Sequence, residues 1–491
     1  MMILNLQNKV IFSFILFSIL LRLVCLDLSN LLVEEAYYWN YANHLDFSYL
    51  DHPPMVALLI RAFTLSLGLS EWSVRLPSML CWGIAAFFSY QLTELIHPKR
   101  GIYSVFLLSI LPFFFVQSWV MTPDQPLLAC WSACLYCLYR AMVLGEARYW
   151  LWTGVGLGLG LLSKYTIVLL GPCIFVYLLW VPAARVWFFR WQPYVAVMIA
   201  TGFFIPVIYW NYQHEWISFA FQSSRRFHET YSFSTHQLIG LLLLFLMPVG
   251  VLGLKQLLQK HVSHHPLNSS AKIFIQIFTV LPLVFFGLYS TLHPVKFNWI
   301  GPGLLALIPW LSIQFQSYQK LWLYTAMVLL IGYMTMILGI GFGTPAIGHR
   351  LFLNKYISWE NLTEQIYHIA KKIEVDTDSM PVFIALDKYN IGSELWFYQS
   401  KWLEHKKINQ AYAVQGSDLF GGESLMYRYW SKNKDLSGKI VLLFSDNRLH
   451  FNNPAIAEKT SQRSAINKLW SVSQGLGNPV RPYYYQIARM N

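Results

Sequence analysis

The apolar run QLIGLLLLFLMPVGVLGL, residues 237–254, contains no charged side chain. A helix that spans a membrane needs about 20 mainly apolar residues. Ten further runs of this kind occur in the chain, so the sequence predicts a polytopic α-helical membrane protein with about eleven transmembrane helices. The other runs lie near 9–26, 75–95, 101–121, 126–144, 150–163, 165–183, 193–210, 273–291, 300–318 and 321–343.

Charged residues are concentrated toward the C-terminus. Of the 491 residues, 56% are hydrophobic and only 12% are charged, about half the usual charged share of a soluble domain. Residues 1–345 hold 18 Lys and Arg and 11 Asp and Glu, whereas the much shorter stretch 346–491 holds 18 and 13. The sequence therefore predicts a transmembrane domain over 1–345, with a first outer loop at 27–74, and a soluble domain over 346–491. This composition excludes a soluble enzyme, a disordered chain and a disulfide-stapled secreted domain.

The C-terminal part has the pattern of a small α/β domain. Its apolar residues recur at helical spacing over 359–373, and Ser358 is a suitable N-cap for that helix. The short apolar runs Val382–Leu386 and Ile440–Phe444 are typical of strands, and residues 390–400 between them favour a helix.

The basic residues of the membrane part predict its orientation. With the N-terminus in the cytoplasm and the connections alternating, eleven Lys and Arg fall on the inner side and seven on the outer side. Cytoplasmic loops carry the excess of Lys and Arg, and an odd number of spans then places 346–491 outside. The seven outer residues are Arg22, Arg61, Arg75, Lys164, Arg225, Arg226 and Lys296.

The first outer loop is rich in carboxylates and aromatic rings. It contains VEEAYYWNYANHLDFSYLDHPPM at 33–55. Rings at this depth are often an interfacial aromatic belt, but a belt does not explain the carboxylates beside them. The loop residues that we select as site candidates are Glu34, Glu35, Tyr37, Tyr38, Asp51 and His52.

Polar residues also cluster in four other outer connections. The acid and two prolines of Met121–Pro126 fit a solvated turn as well as they fit a site. A lone lysine such as Lys164, or an arginine, can be a snorkelling anchor. Taken together, acids and bases on one membrane face suit an anionic, lipid-linked substrate, because Lys and Arg bind phosphate and a carboxylate can deprotonate a hydroxyl. The candidates are Asp124, Lys164, Tyr165, Asn211, His214, Arg225, Arg226, Lys296, Asn298 and Trp299.

Several common sites are absent from the sequence. There is no GxxxxGK[ST], no GxGxxG after a strand, no HExxH and no paired CxxC. The glycine run GVGLGLGLL at 154–162 is interpreted as a close-packed span and not as a phosphate loop. A Ser-His-Asp hydrolase stays open, although no nucleophile elbow is visible.

These segments resemble a known family. The stretch from Glu34 to Met55 looks like the first outer loop of bacterial members of the dolichyl-phosphate-mannose–protein mannosyltransferase family, glycosyltransferase family 39 in the broad sense, which includes aminoarabinose-transferase-like enzymes. Further similarity occurs at TPDQPL (122–127), GLLSKYT (160–166), PVIYWNYQHEWISFAFQ (206–222) and VKFNWIGPG (295–303).

The resemblance implies a GT-C fold and an enzyme of the bacterial inner membrane. Such an enzyme moves a sugar from a polyprenyl-phosphate donor to a hydroxyl of a lipid, glycan or protein acceptor on the non-cytoplasmic side, with inversion. The family's catalytic Asp falls on Glu34, where the usual Asp-Glu pair is Glu34-Glu35, so either acid can be the base. Asp124 matches the second acidic position, and Lys164 matches a lysine near the donor phosphate. No cofactor is assigned, a divalent metal stays open, and no nucleic-acid partner is expected.

Two other classes of protein fit the same features. A flippase or transporter of lipid-linked sugars shares the spans and the aromatic residues, but transporters usually place ionisable residues near the bilayer midplane and show repeat symmetry. An oligosaccharide ligase or polymerase uses the same kind of carrier and differs in transferring a preassembled glycan.

Overall fold

A computed structural model describes residues 6–223, 231–259, 267–342, 358–431, 435–473, 477 and 479–491. The N-terminal two thirds are helical. The helices are α1 Leu6–Leu28, α2 Val33–Asn43, α3 Met55–Leu67, α4 Glu71–Ile96, α5 Gly101–Ile110, α6 Pro112–Gln117, α7 Asp124–Leu138, α8 Tyr149–Leu161, α9 Leu170–Trp180, α10 Gln192–Gln213, α11 Ile217–Gln222, α12 Thr235–Leu258, α13 Ser269–Ser290, α14 Gly301–Leu304, α15 Ile308–Gln314 and α16 Gln319–Phe342. A multi-pass membrane protein is the class that this helical part defines.

The described residues contain fewer long apolar helices than the eleven predicted spans. Within the described residues, seven helices are long and apolar enough to cross a membrane, or eight if Tyr165–Trp180 and Pro182–Phe189, which meet at 117°, form one span. The predicted runs 300–318 and 321–343 fall in one helical stretch, Gly301–Gly339. The predicted runs 101–121 and 150–163 form helices that are shorter than a membrane span requires. A count of about eleven transmembrane helices therefore stays a prediction.

The predicted span 101–121 is broken between α5 and α6. Pro112 opens α6 and has no N–H to donate to the preceding turn. The carbonyls that this break exposes accept other hydrogen bonds: the buried Arg22 guanidinium donates to the carbonyls of Leu108 at 3.1 Å and Ser109 at 3.0 Å, and the Tyr333 hydroxyl donates to that of Ile110 at 2.7 Å. Arg22 is thus a structural residue of the helix bundle.

The glycine run packs as the sequence predicts. A Cβ atom at Gly154 would lie 2.6 Å from the Ala196 carbonyl oxygen, and one at Gly158 would lie 2.8 Å from Cβ of Phe203. Both neighbours belong to α10, so α8 and α10 approach closely only because these positions lack side chains.

The chain divides into two compact units. The first, here called the membrane unit, comprises Met1–Val24, His52–Val56 and Leu76–Tyr333. The second, here called the loop–tail unit, comprises Cys25–Asp51, Ala57–Arg75 and Met334–Asn491. The first outer loop therefore folds largely with the C-terminal part, although the sequence assigns it to the transmembrane domain; that domain division stays a prediction.

The tail is the predicted small α/β domain. Its helices are α17 Trp359–Thr377, α18 Asn390–Glu404, α19 Tyr427–Trp430 and α20 Pro454–Lys459, and its strands are β1 Val382–Ala385, β2 Val414–Gln415, β3 Ile440–Ser445, β4 Thr460–Ser461, β5 Asn467–Val472 and β6 Pro479–Met490. The predicted helices, strands and N-cap are confirmed; the Asn361 amide donates to Ser358 Oγ. The antiparallel strands β5 and β6 were not predicted.

One mixed sheet forms the centre of the tail. Its strand order is β2-β1-β3-β6-β4, with β5 also paired to β6. Strand β1 is parallel to β2 and β3, whereas β6 runs antiparallel to β3. The strands β1 and β3 are buried throughout, which explains why the sequence reveals them as continuous apolar runs.

Candidate active site

Three residues from separate sequence segments meet in the membrane unit. Lys164 Nζ donates to Oδ1 of Asp124 at 2.8 Å, and Asn298 Nδ2 donates to Oδ2 of the same carboxylate at 2.6 Å. The side chains of Lys164 and Asp124 are only 10% and 3% exposed. In the sequence, only order and spacing relate the segments TPDQPL, GLLSKYT and VKFNWIGPG. In the structure, one residue from each segment joins a single buried polar cluster.

Local hydrogen bonds fix the position of Asp124. It is the first residue of α7, and the preceding Thr122 donates from its amide to Gln125 Oε1 at 2.7 Å and from its hydroxyl to the same oxygen at 2.9 Å. Gln125 in turn donates to Gln117 Oε1. The predicted turn therefore exists, but Asp124 is buried rather than solvated, and a buried carboxylate needs partners such as Lys164 and Asn298.

Lys164 lies at a break between two helices. Helix α8 ends at Leu161, Lys164 has extended backbone angles, and a short 3-10 helix begins at Tyr165. The Tyr165 hydroxyl forms a 2.9 Å hydrogen bond with Ser218 Oγ. The break directs the chain out of one apolar helix and into the next with the lysine between them.

A cavity of about 370 Å³ opens beside this cluster in the membrane unit. Most of its lining residues are aromatic or aliphatic, and Lys164 is among the polar ones. Four of the predicted site residues line it: His52, Lys164, Tyr165 and Trp299. The other lining residues are Thr166, Val168, Leu169, Gln222, Phe285, Phe286 and Tyr289. An apolar cavity with one buried cation has the chemistry to receive a lipid chain that ends in an anion.

The remaining candidates of the membrane unit lie elsewhere or have local partners. The buried Asn211 donates to the Val207 carbonyl at 2.9 Å and accepts from the Phe219 amide at 3.3 Å, so it links α10 to α11. His214 stacks on Trp210 with ring centroids 3.9 Å apart. Lys296 is exposed. Arg225 and Arg226 lie outside the described residues.

In the loop–tail unit, Glu35 forms a buried ion pair. Both side chains of the Glu35–Arg75 pair are 0% exposed, and Arg75 donates to the Glu35 carboxylate at 2.7 Å and 3.0 Å. Arg75 also donates to the carbonyls of Leu26, Ser29 and Asn30. Glu35 also accepts a hydrogen bond from the Leu32 amide at 2.9 Å, at the start of α2. This geometry gives Glu35 a structural role.

Glu34, one residue earlier on α2, is exposed. Adjacent residues on a helix point in different directions, so the burial of Glu35 leaves Glu34 accessible. Of the two acids, only Glu34 has a solvent-exposed side chain.

The other loop candidates belong to a buried aromatic cluster of the loop–tail unit. Tyr37 and Tyr38 are 1% and 7% exposed. The hydroxyls of Tyr37 and Tyr41 donate to Asp51 Oδ1, and Tyr37 lies 4.6 Å from Tyr389 between ring centroids. These rings form part of a protein core, which is neither a membrane belt nor an open sugar platform.

Two buried residues were not singled out as site candidates. Arg75 appeared only as one of the outer basic residues, because nothing in the sequence marks its pairing with Glu35. Glu394 on α18 is 0% exposed, and neither carboxylate oxygen has a hydrogen-bond partner among the described residues. Burial, and next Glu35 and Glu71, raise the pKa of Glu394 well above its ordinary value. Within the described ranges no group of three or more His, Cys, Asp or Glu could hold a metal ion.

Comparison with solved structures identifies the fold. ArnT from Cupriavidus metallidurans has the same architecture: its apo structure superposes with a TM-score of 0.66 at 14% identity, covering 99% of this chain and 98% of that one. Its structure bound to undecaprenyl phosphate gives 0.63 at the same identity and coverage. The fold is therefore the ArnT-like GT-C fold, as the sequence predicts.

Sequence comparison identifies the family resemblance. Residues 51–210 match the model of the family described as dolichyl-phosphate-mannose-protein mannosyltransferase. The lipid A galacturonosyltransferase RgtD of Rhizobium johnstonii is 27% identical over 191 residues, which are 38% of this chain and 40% of that relative. These matches confirm the predicted resemblance to GT-C proteins of the glycosyltransferase family 39 and aminoarabinose-transferase-like type.

Proposed function

We propose that this chain is a membrane glycosyltransferase that moves a sugar from a polyprenyl-phosphate donor to a hydroxyl group of an acceptor. The observation that carries the proposal is the Asp124–Lys164–Asn298 cluster beside an apolar cavity in the membrane unit. Such a cavity suits the isoprenoid chain of a lipid donor, and the ammonium group suits its phosphate. The match to ArnT, which has been crystallised with undecaprenyl phosphate, supports the same donor class.

Lys164 is proposed to bind the donor phosphate. A lysine ammonium has three N–H donors, and the hydrogen bond to Asp124 uses one of them. The other two can be donated to phosphate oxygens. Asp124 accepts a hydrogen bond from the Lys164 ammonium, and Asn298 donates one to Asp124. Both are therefore proposed as positioning residues for the ammonium group, and neither is needed as a base.

Glu34 is proposed as the general base. Its exposure and the pairing of Glu35 with Arg75 both favour it over its neighbour. The Glu35 carboxylate is buried and already accepts hydrogen bonds from Arg75 and from the Leu32 amide, so its oxygens are not open to an acceptor hydroxyl. Glu34 also occupies the position of the catalytic acid of the family that the loop resembles.

The proposed reaction is a single displacement. The carboxylate takes the proton of the acceptor hydroxyl, the hydroxyl oxygen forms a bond to C1 of the sugar, and the bond from C1 to the phosphate oxygen breaks with inversion. The phosphate leaves as an anion, so no general acid is required. Cationic donors such as Lys164 stabilise the charge that develops on it.

The acceptor and the membrane side are part of the proposal. Because RgtD is a lipid A galacturonosyltransferase, lipid A is the acceptor class that we favour over a glycan or a protein. We further propose that the protein lies in the bacterial inner membrane with the loop–tail unit on the non-cytoplasmic side, as the distribution of Lys and Arg predicts.

Reconstitution tests the proposal directly. The purified full-length chain is placed in liposomes with lipid A and synthetic undecaprenyl-phosphate sugars, including galacturonic acid, aminoarabinose and neutral hexoses, and products are analysed by mass spectrometry. We expect lipid A to gain the mass of one sugar, and the new linkage to have the anomeric configuration opposite to the donor. Transfer must be lost in Lys164→Met.

The alternative classes predict other products in the same assay. A flippase moves the labelled donor across the bilayer and leaves lipid A unchanged. A ligase or polymerase leaves single-sugar donors unused and transfers a preassembled glycan. Either result contradicts the proposed function.

A further inference from the structure

The tail contains a second cavity, of about 610 Å³, lined only by residues between 386 and 456 of the loop–tail unit. Asp387 and Lys388, which follow β1, lie on one side of it, and His450, which follows β3, lies on another. Because β1 and β3 are parallel neighbours, their carboxyl ends meet at the same edge of the sheet. The cavity is within the size range of ligand pockets in proteins.

The sheet topology makes this edge a binding position. From β1 the chain passes through α18 to β2, which lies on one side of β1, whereas from β3 it passes through α20 to β4, toward the other end of the sheet. Neighbouring parallel strands whose connections leave in opposite directions open a crevice at their carboxyl ends. Ligands of open α/β sheets bind in such crevices.

The cavity lacks the usual means of binding phosphate. Asp387 Oδ2 accepts hydrogen bonds from the amides of Tyr389, Asn390 and Ile391 at 3.3, 2.6 and 3.2 Å. These amides belong to the start of α18, where an anion would otherwise bind. A phosphate here would have to displace the carboxylate and would meet its negative charge.

The polar groups that remain suit a ligand with hydroxyl or ammonium groups. Asp387 Oδ1 is buried and has no hydrogen-bond partner within the described residues, and burial raises the pKa of Asp387 to about 6. The Glu423 carboxylate pairs with Lys388 at 2.9 Å. Ser445 Oγ lies 2.7 Å from His450 Nδ1 and accepts from the Asn447 amide, so its hydroxyl can donate to Nδ1 and leave Nε2–H of His450 as a donor.

We propose that this cavity is a saccharide site, which binds a neutral or amino-substituted sugar. The sugar would donate to Asp387 and Glu423 and accept from His450 Nε2, three residues that line the cavity. Uronic acids are excluded by the two carboxylates. The inference rests on the tail alone and holds whether or not the chain is a glycosyltransferase.

The test uses the purified full-length protein in detergent and saturation-transfer-difference NMR with glucosamine, glucose and glucuronic acid as probes. We expect saturation transfer to glucosamine and glucose, and far less to glucuronic acid. Asp387→Asn keeps a side-chain oxygen to cap α18 but loses the charge, and should weaken glucosamine binding at least roughly tenfold. His450→Gln, at an exposed position, should weaken binding in the same direction.

Two controls separate this site from others. Glu458→Gln removes an exposed carboxylate of the same unit that does not line the cavity, and it should bind as the unchanged protein does. Lys164→Met removes the proposed donor-phosphate ligand and should likewise leave glucosamine binding unchanged. Three results would overturn the proposal. They are no binding of glucosamine or glucose, stronger binding of glucuronic acid than of glucosamine, and glucosamine binding by both Asp387→Asn and His450→Gln that equals that of the unchanged protein. Loss of sugar transfer with intact glucosamine binding would affect only the proposed function.

Discussion

Lys164 Nζ lies 2.8 Å from Asp124 Oδ1, and the two side chains are almost entirely buried. Forty positions separate them in the chain, and each follows or interrupts an apolar run. A buried ammonium group needs a counter-charge, and a carboxylate at 2.8 Å provides it. The pair therefore keeps a cationic residue at the wall of an apolar cavity.

Lys164→Met should abolish most use of the lipid donor. The substitution keeps the length and apolar character of the stem and removes the hydrogen-bond donors. We expect the apparent KM for the polyprenyl donor to rise at least about tenfold, and turnover to fall as well, because charge on the leaving phosphate loses its partner. Steady-state kinetics with varied donor measure both constants.

Two matched variants test whether the effect of Lys164→Met is specific to the position and charge of this lysine. Lys255→Met removes an exposed lysine of α12 and should leave the kinetics unchanged. Lys164→Arg keeps the charge but not the compact geometry, and should recover only part of the activity. Unaltered donor kinetics in a folded Lys164→Met protein would leave the lysine as a structural anchor.

Glu34→Gln should remove the base and retain the shape. Turnover is expected to fall by about two orders of magnitude, since general bases contribute roughly 10²–10⁴-fold, while donor binding measured by equilibrium titration persists. Asp46→Asn, at an exposed acid of the same loop, is the control and should keep normal turnover. Normal turnover in Glu34→Gln with a folded but inactive Glu35→Gln would move the base by one residue. If neither variant changes turnover, neither glutamate is the base.

Glu35 and Arg75 are expected to contribute to the stability of the folded protein and not to the proton transfer. Removal of one partner leaves a buried charge without compensation, which typically costs about 3–5 kcal/mol. We expect Glu35→Leu and Arg75→Met each to lower the melting temperature of the full-length protein strongly. The double variant should lose less than the sum of the two losses, because neither charge then remains. Additive losses would mean that the two side chains act independently.

The sequence predicts the elements of this protein better than their grouping. The long apolar run 237–254, the buried strands Val382–Ala385 and Ile440–Ser445 and the helix capped by Ser358 are local patterns, and each is found. Tyr37 packs against Tyr389, which lies more than 300 positions away in the sequence, so periodicity could not separate a core from a membrane belt.

The candidate site was predicted to a similar extent. Asp124, Lys164 and Asn298 could be selected because each interrupts or borders an apolar run, but their contact is a tertiary fact. The choice between Glu34 and Glu35 needed the position of Arg75. The strands β5 and β6 were missed because their burial alternates weakly and Pro479 and Pro482 lie in β6; proline usually argues against a strand interior.

The orientation of the chain is testable by fusion. An alkaline phosphatase domain, active only outside the cytoplasm, should be active when fused after residue 345 and inactive when fused after Lys260. Expression of both fusions must be equal by immunoblot. The reverse pattern would move every candidate site residue to the cytoplasmic side and contradict a polyprenyl donor presented in the outer leaflet.

Glu394 should make the protein less stable at high pH. Its pKa is raised in the folded state chiefly by burial, and further by Glu35, Glu71 and Glu34 against the opposing effect of Arg75. Between the ordinary pKa of a glutamate and this raised value, the folded state holds one proton more than the unfolded state. The free energy of unfolding therefore falls as pH rises, by up to about 1.4 kcal/mol for each pH unit.

Glu394→Gln removes this proton uptake and retains the shape of the neutral acid. In thermal melts of the full-length protein between pH 5 and pH 8, we expect the variant to melt above the unchanged protein at pH 8, and the difference to shrink toward pH 5. Glu458→Gln, at an exposed acid of α20, should show no such pH-dependent difference. A gap between Glu394→Gln and the unchanged protein that stays constant across the range would mean that Glu394 is ionised in the fold, with a partner that compensates its charge.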